Sequence, residues 1–185
     1  MTLIVDRVFN SPDLLEVQGR TLLVRVVPYG QSVVVRDKAG PPYREGFDPG
    51  AFAEAIANGA ATRHRVGLNM GHEDSALVDV GRAIRLEEDD SGLIGSFVVD
   101  ESPFGDHALV KVKTRQWTGL SVRAIIRDSR KDAAGVTWRT RAHPVHAALT
   151  DHPAYADAGV LAVRTATPRL DAWLAKYPRK EDPRG

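Results

Sequence analysis

Cysteine is missing from all 185 residues. Disulfides, thiolate zinc sites and a cysteine nucleophile are thereby excluded. Excess charge is missing too: 25 Lys and Arg stand against 24 Asp and Glu, for a formal net charge of +1. No basic field calls for nucleic acid or an anionic membrane as a partner. Long apolar runs are also missing. None approaches the roughly 20 residues a membrane helix needs, and the start, MTLIVDRVFN, carries Asp6 and no long apolar core, unlike a signal peptide. The expectation is a protein of the cytoplasm with no membrane or nucleic-acid partner. Two chemical signatures are absent as well: the His-Glu-x-x-His spacing of zinc hydrolases and the Gly-x-Ser-x-Gly elbow of α/β-hydrolases.

What is present suits one globular domain. The composition is 43% hydrophobic and 26% charged, and the length supports a substantial core. The first third reads as short β-strands at 2–9, 14–19, 20–27 and 31–37, rich in Val, Leu and Ile and bounded by NSPD, QGR, PYG and KAGPP. The period then changes. FDPGAFAEAIANG predicts a helix capped by Asp48, with Pro49 at its first position, Phe52 and Ile56 on one face, and Gly59 as the stop. Strands follow at 64–72, 75–88 and 92–100, the last two joined by a turn at EDDSG. A second helix is predicted over 102–116, with Ala108, Leu109 and Val112 facing inward. Further strands are predicted around 118–126 and at 135–142, 143–150 and 159–165. A last helix begins at Thr167 and Pro168, and PRKEDPRG (178–185) reads as a loose charged tail. The predicted class is α+β, predominantly β: a single domain over 1–177, built as a closed or nearly closed antiparallel β-barrel flanked by a few helices.

One strand carries a residue that hydrophobic patterning does not explain. In TGLSVRAIIRD, Ser121 lies among Leu120, Val122, Ala124, Ile125 and Ile126. Six histidines supply the other ionisable candidates. His72 follows a strand at NMGHED, where the preceding glycine lets the chain bend. His146 lies in HPVHAAL. His143 and His146 are three apart, so on a regular strand they face opposite sides and would not share a metal. A His and carboxylate metal site is one reading. Another is nucleophilic catalysis, which needs a hydroxyl, a base within hydrogen-bond reach, and a group that orients the base. Ser121, His72 and a third residue could supply these, but spacing alone does not single them out.

Four segments in order narrow the choice: EGFDPGAFAEAI (45–56), GLNMGHEDSALVDVGRAIRLEEDDSGL (67–93), TGLSVRA (118–124) and TDHPAYADAGV (150–160). Together they resemble the prohead maturation serine proteases of tailed phages, relatives of the herpesvirus assemblins. The resemblance implies a herpesvirus-protease-like fold with Ser121 as nucleophile and His72 as general base. The third member falls seven residues before Pro153, on His146, where many phage members carry an acid and the herpesvirus branch a histidine. The pattern departs after Val122: Arg123 and Ala124 stand where glycine and phenylalanine often follow.

The implied activity is a serine endopeptidase that removes scaffold segments inside the procapsid and then cuts itself. Its substrates would be the major capsid protein or a scaffold protein, and it would work as a homodimer without metal or cofactor. The competing readings are a non-catalytic capsid-assembly component on the same fold and a metal-dependent hydrolase.

Overall fold

The computed structural model describes residues 3–9, 14–35, 40–70 and 78–150. His72, the segment from Asp151 through the HPAY motif, the expected strand at 159–165, the last helix and the tail lie outside the described residues. Ten strands and two helices follow one another: β1 (Leu3–Phe9), β2 (Leu14–Gln18), β3 (Thr21–Pro28), β4 (Ser32–Val35), β5 (Tyr43–Phe47), α1 (Ala53–Ala57), β6 (Gly67–Met70), β7 (Val78–Asp89), β8 (Gly92–Val99), α2 (Pro103–Lys113), β9 (Gly119–Lys131) and β10 (Thr137–Thr150).

All ten strands belong to one sheet. Its main path is β1-β9-β10-β6-β7-β8-β3-β2, and β5 pairs with β10 and carries β4 beside it. Most pairings are antiparallel, as short turns between β7 and β8 or β9 and β10 dictate. Two are not. Along one edge of β10, residues 137–139 pair in parallel with β5 and residues 146–149 pair in parallel with β6. The expected closed antiparallel barrel is therefore corrected to an open, mixed sheet: among the described residues its path ends on β1 and β2, which do not pair with each other. The reason is β10. Its 14 residues span two strands on one edge, and reaching both requires crossovers through α1 rather than hairpins.

The core lies on one face of this sheet. Leu22, Phe47, Phe52, Leu68, Leu93, Phe97 and Leu120 are all but inaccessible to solvent. The rings of Phe47 and Phe52 stack with centroids 5.4 Å apart. Helix α1 packs on β10 and β7, and α2 on β7 and β8. Helix α2 matches its sequence: Ser102 accepts a hydrogen bond from the Gly105 amide, Pro103 opens the helix, and Ala108, Leu109 and Val112 are buried.

Three local expectations are corrected. Helix α1 is shorter than FDPGAFAEAIANG suggests, and Asp48 does not cap it. Residues 48–52 form tight turns instead, with Ala51 N–H donating to the Asp48 carbonyl at 3.1 Å, and the Asp48 carboxylate takes two hydrogen bonds from Arg130 at 2.8 and 2.9 Å. The strand Tyr43–Phe47 is not legible in sequence because Arg44, Glu45 and Gly46 break its apolar pattern. Residues 135–142 and 143–150, expected as two strands, form the single strand β10. It continues through Pro144 because the register slips between Pro144 and His146, where the missing amide of proline is tolerated.

Candidate active site

Strands β9, β10, β6 and β7 lie side by side, and their registers fix which residues share the face opposite the core. One rung runs Ser121, Ala148, Asn69, Asp79; the next runs Arg123, His146, Gly67, Arg82. Residues opposite one another on paired strands project to the same side. The intervening residues Leu120, Val122, Ala124, Ala147 and Leu149 belong to the core, as the period of two demands. Ser121 thus lies on the outer face, yet it is only 5% exposed. The hydroxyl is sheltered without being buried in the apolar core.

His146 lies diagonally across from Ser121: Ser121 is opposite Ala148, and His146 is two residues back along β10. Such diagonal positions are roughly 7–8 Å apart. Side chains at such positions lie within reach of one another across the face. Strand β6 runs parallel to this part of β10 and ends at Met70, opposite Leu149. His72 follows two positions later in sequence and lies outside the described residues.

The register slip between Pro144 and His146 has a further effect. His143 pairs with Ile125 and His146 with Arg123, so both histidines lie on the same face of β10. The expectation that they face opposite sides is corrected: an extra residue in the strand shifts the alternation by one. They nevertheless line different hollows. His146 borders a groove of about 350 Å³ with Gly67, Asn69, Asp79, Arg65 and Arg82. His143 borders a separate one with His64, Arg127, Arg141 and Glu54. The His64 and His143 rings meet edge to face at 5.2 Å. Burial, and then the neighbouring His64 and Arg127, push the His143 pKa below the usual histidine value. Among the described residues no group of three or more histidines and carboxylates is placed to hold a metal ion.

The residues after Ser121 divide by face. Ala124 is fully buried in the core, so its side chain packs rather than meets substrate. Arg123 lies on the Ser121 face, opposite His146. Arg139 and Arg141, nearby in sequence, are committed elsewhere. Arg139 forms a buried ion pair with Glu45, and Arg141 contacts Glu54 at 3.3 Å. Arg139 also lies seven residues from His146, about 20 Å along a strand. One polar residue of the Ser121 face was not singled out by the sequence reading: Asn69, 5% exposed between Leu68 and Met70. The signal was available as an amide interrupting an apolar strand next to NMGH.

Ser121 and His146 thus lie on one face of adjacent strands, away from the core. The chain belongs to the caudovirus prohead serine protease family, whose model matches residues 25–170. It is accordingly a serine protease of the type that matures phage capsids. Among solved structures it is similar to the bacteriophage T4 capsid assembly protease, gp21, at a TM-score of 0.54 and 12% identity, covering 80% of this chain and 98% of that one. At that identity the likeness speaks for the fold. No curated protein matches the sequence.

Proposed function

We propose that Ser121, His72 and His146 form a Ser-His-His triad that cleaves scaffold or capsid-protein segments inside the assembling procapsid. The observation that carries this reading is the diagonal placement of Ser121 and His146 on one face of adjacent strands. Their separation suits two hydrogen bonds of about 2.6–3.2 Å with an imidazole between them. His72 is the family-matched histidine two positions in sequence beyond Met70, where β6 flanks β10.

In this mechanism Ser121 Oγ attacks the scissile carbonyl while His72 takes its proton. His72 then delivers that proton to the leaving amine, and water repeats the cycle on the acyl-enzyme. His146 accepts a hydrogen bond from the second ring nitrogen of His72, fixing its tautomer. A neutral imidazole stabilises the imidazolium less than a carboxylate would, so turnover is slow. Slow turnover suits a protease confined with its substrate at high local concentration. The oxyanion falls to backbone amides, since Arg139 is held in its ion pair with Glu45. Self-cleavage and a homodimeric active form accompany the reading, through the resemblance to the assemblins.

The test is co-expression with the neighbouring major capsid and scaffold proteins, wild type against Ser121→Ala, with mass spectrometry of the fragments. Ser121→Ala should abolish both scaffold cleavage and self-cleavage while leaving the fold intact. Undiminished fragments from that variant would refute the assignment.

A further inference from the structure

Among the described residues only two buried side-chain polar atoms lack a hydrogen-bond partner: Asn69 Oδ1 and Ser96 Oγ. A hydroxyl can rotate to find a weak acceptor, but an amide oxygen can only wait for a donor. Leaving such an oxygen unsatisfied is costly, and an unexplained instance calls for a reason. Asn69 Oδ1 is on the rung of Ser121, in the groove that His146 borders.

The proposed triad leaves a matching need on the other side. A neutral imidazole has one N–H and one lone pair. If His146 accepts a hydrogen bond from His72 on one nitrogen, its other nitrogen must carry the proton and requires an acceptor. Gly67 brings that acceptor close. A methyl group at Gly67 would lie 3.2 Å from Asn69 Oδ1 and 3.8 Å from His146 Cβ. The two atoms therefore lie within about 7 Å of each other across a residue that has no side chain of its own, a span the imidazole ring can bridge.

We infer that Asn69 is a positioning residue of the protease: its Oδ1 accepts the N–H of His146 and holds His146 in the tautomer that receives the hydrogen bond from His72. This inference rests on the triad proposed above. Among the described residues the other acceptors in the same groove are Asp100, exposed and 3.7 Å from the Arg82 guanidinium, and Asp79, whose Oδ1 lies 3.8 Å from the same point. Asp79 is exposed, and water can satisfy it. Asn69 is 5% exposed, so its oxygen depends on a protein donor.

The experiment is steady-state cleavage of a scaffold peptide across pH by Asn69→Leu, Asn69→Asp, Asp79→Asn, His146→Ala and Asn69→Leu/His146→Ala. Asn69→Leu keeps the shape and removes the acceptor, and should lower kcat about tenfold with KM unchanged, the loss of roughly one hydrogen bond in the transition state. Asn69→Asp restores the acceptor and adds a negative charge. It should recover kcat and move the acid limb of the profile to higher pH, because the charge favours the imidazolium. Asp79→Asn should behave as wild type. In the His146→Ala background, Asn69→Leu should cause no further loss, whereas a merely structural role predicts the same loss in both backgrounds.

Should Asn69→Leu not fold, the acid limb of Asn69→Asp decides, together with the tautomer of His146 read from ring ¹⁵N shifts in Ser121→Ala protein. Wild-type kcat in folded Asn69→Leu, an unmoved acid limb in Asn69→Asp, His146 ring shifts showing no single fixed tautomer, or loss of activity in Asp79→Asn would each overturn the inference. If His146→Ala itself cleaves like wild type, the triad reading has failed; if His146→Ala is impaired and Asn69→Leu is not, only the role of Asn69 has failed.

Discussion

The buried ion pair between β5 and β10 makes a quantitative prediction. Arg139 is 5% exposed and Glu45 1%. Arg139 Nε donates to Glu45 Oε2 at 2.6 Å, and its two terminal nitrogens donate to Ser129 Oγ and to the Tyr43 hydroxyl, each at 2.9 Å. Replacing Arg139 with Met removes the cation and strands the carboxylate. Breaking a buried pair this way costs about 3–5 kcal/mol. Tyr43 still donates to Glu45 at 3.1 Å, which places the cost near the lower end, about 3 kcal/mol. At roughly 2–4 °C per kcal/mol for a chain of this size, Tm should fall by about 6–12 °C. The double variant Arg139→Met/Glu45→Leu removes both charges and should regain most of the loss, since two apolar groups of similar volume need no partner. The assay is urea denaturation followed by tryptophan fluorescence, in a Ser121→Ala background to prevent self-cleavage. A single variant within about 1 kcal/mol of its parent, or a double variant no more stable than the single, would refute this account. In active protein, peptide cleavage at 25 °C should be unchanged by the double variant, because the pair lies about 20 Å along β10 from His146.

Two further perturbations test other parts of the structure. A methyl group at Gly81 would meet the Val98 carbonyl oxygen at 2.1 Å and Val99 Cα at 3.0 Å; both belong to the backbone of the neighbouring strand and cannot turn aside. Gly81→Ala should therefore destabilise by about 1–3 kcal/mol or more in the same urea assay, and wild-type stability would show that β7 and β8 are not in such close contact. His143 has its pKa held below the usual histidine value by burial and by His64 and Arg127. The folded state thus binds fewer protons there than the unfolded chain, so stability should fall as pH drops from about 6.5 towards the depressed value. His143→Gln should lose less stability than wild type between pH 7.5 and 5.5, and parallel losses in the two proteins would rule the reading out.

The strands were largely legible because β-branched and leucine-rich runs bounded by turn residues have few other solutions. Helix α2 was legible for the same kind of reason: Ser102, Pro103 and an apolar face at 108, 109 and 112 act locally. What failed depended on contacts far apart in sequence. Asp48 has the chemistry of a helix cap, but Arg130, 82 residues away, takes its carboxylate. Strand β5 looks polar because Glu45 is meant for Arg139, 94 residues on. The barrel failed for the same reason. Counting short strands says nothing of pairing, and β10 joins β5 and β6 in parallel along one edge.

The site shows the same division in a sharper form. A hydroxyl in TGLSVRAII is unusual only if its face is known, and a strand of nearly continuous apolar residues does not reveal its face. Pairing with β10 does: Ser121 shares its side with Ala148 and His146, while Val122 and Ala124 turn into the core. The face of His146 was legible only through a register slip that sequence does not announce. If Val145 took a regular place in the ladder instead of being the extra residue, His146 would share a side with Pro144 and Ala142, which meets the core. The proline that seemed to divide two strands thus marks the irregularity that brings His146 onto the serine's face. Removing the extra residue itself should therefore spare the placement of His146. A deletion of Val145, 36% exposed on that strand, would let His146 follow Pro144 directly and stay opposite Arg123 on the Ser121 face, so peptide cleavage should persist, and its loss in folded protein would refute this account of the slip.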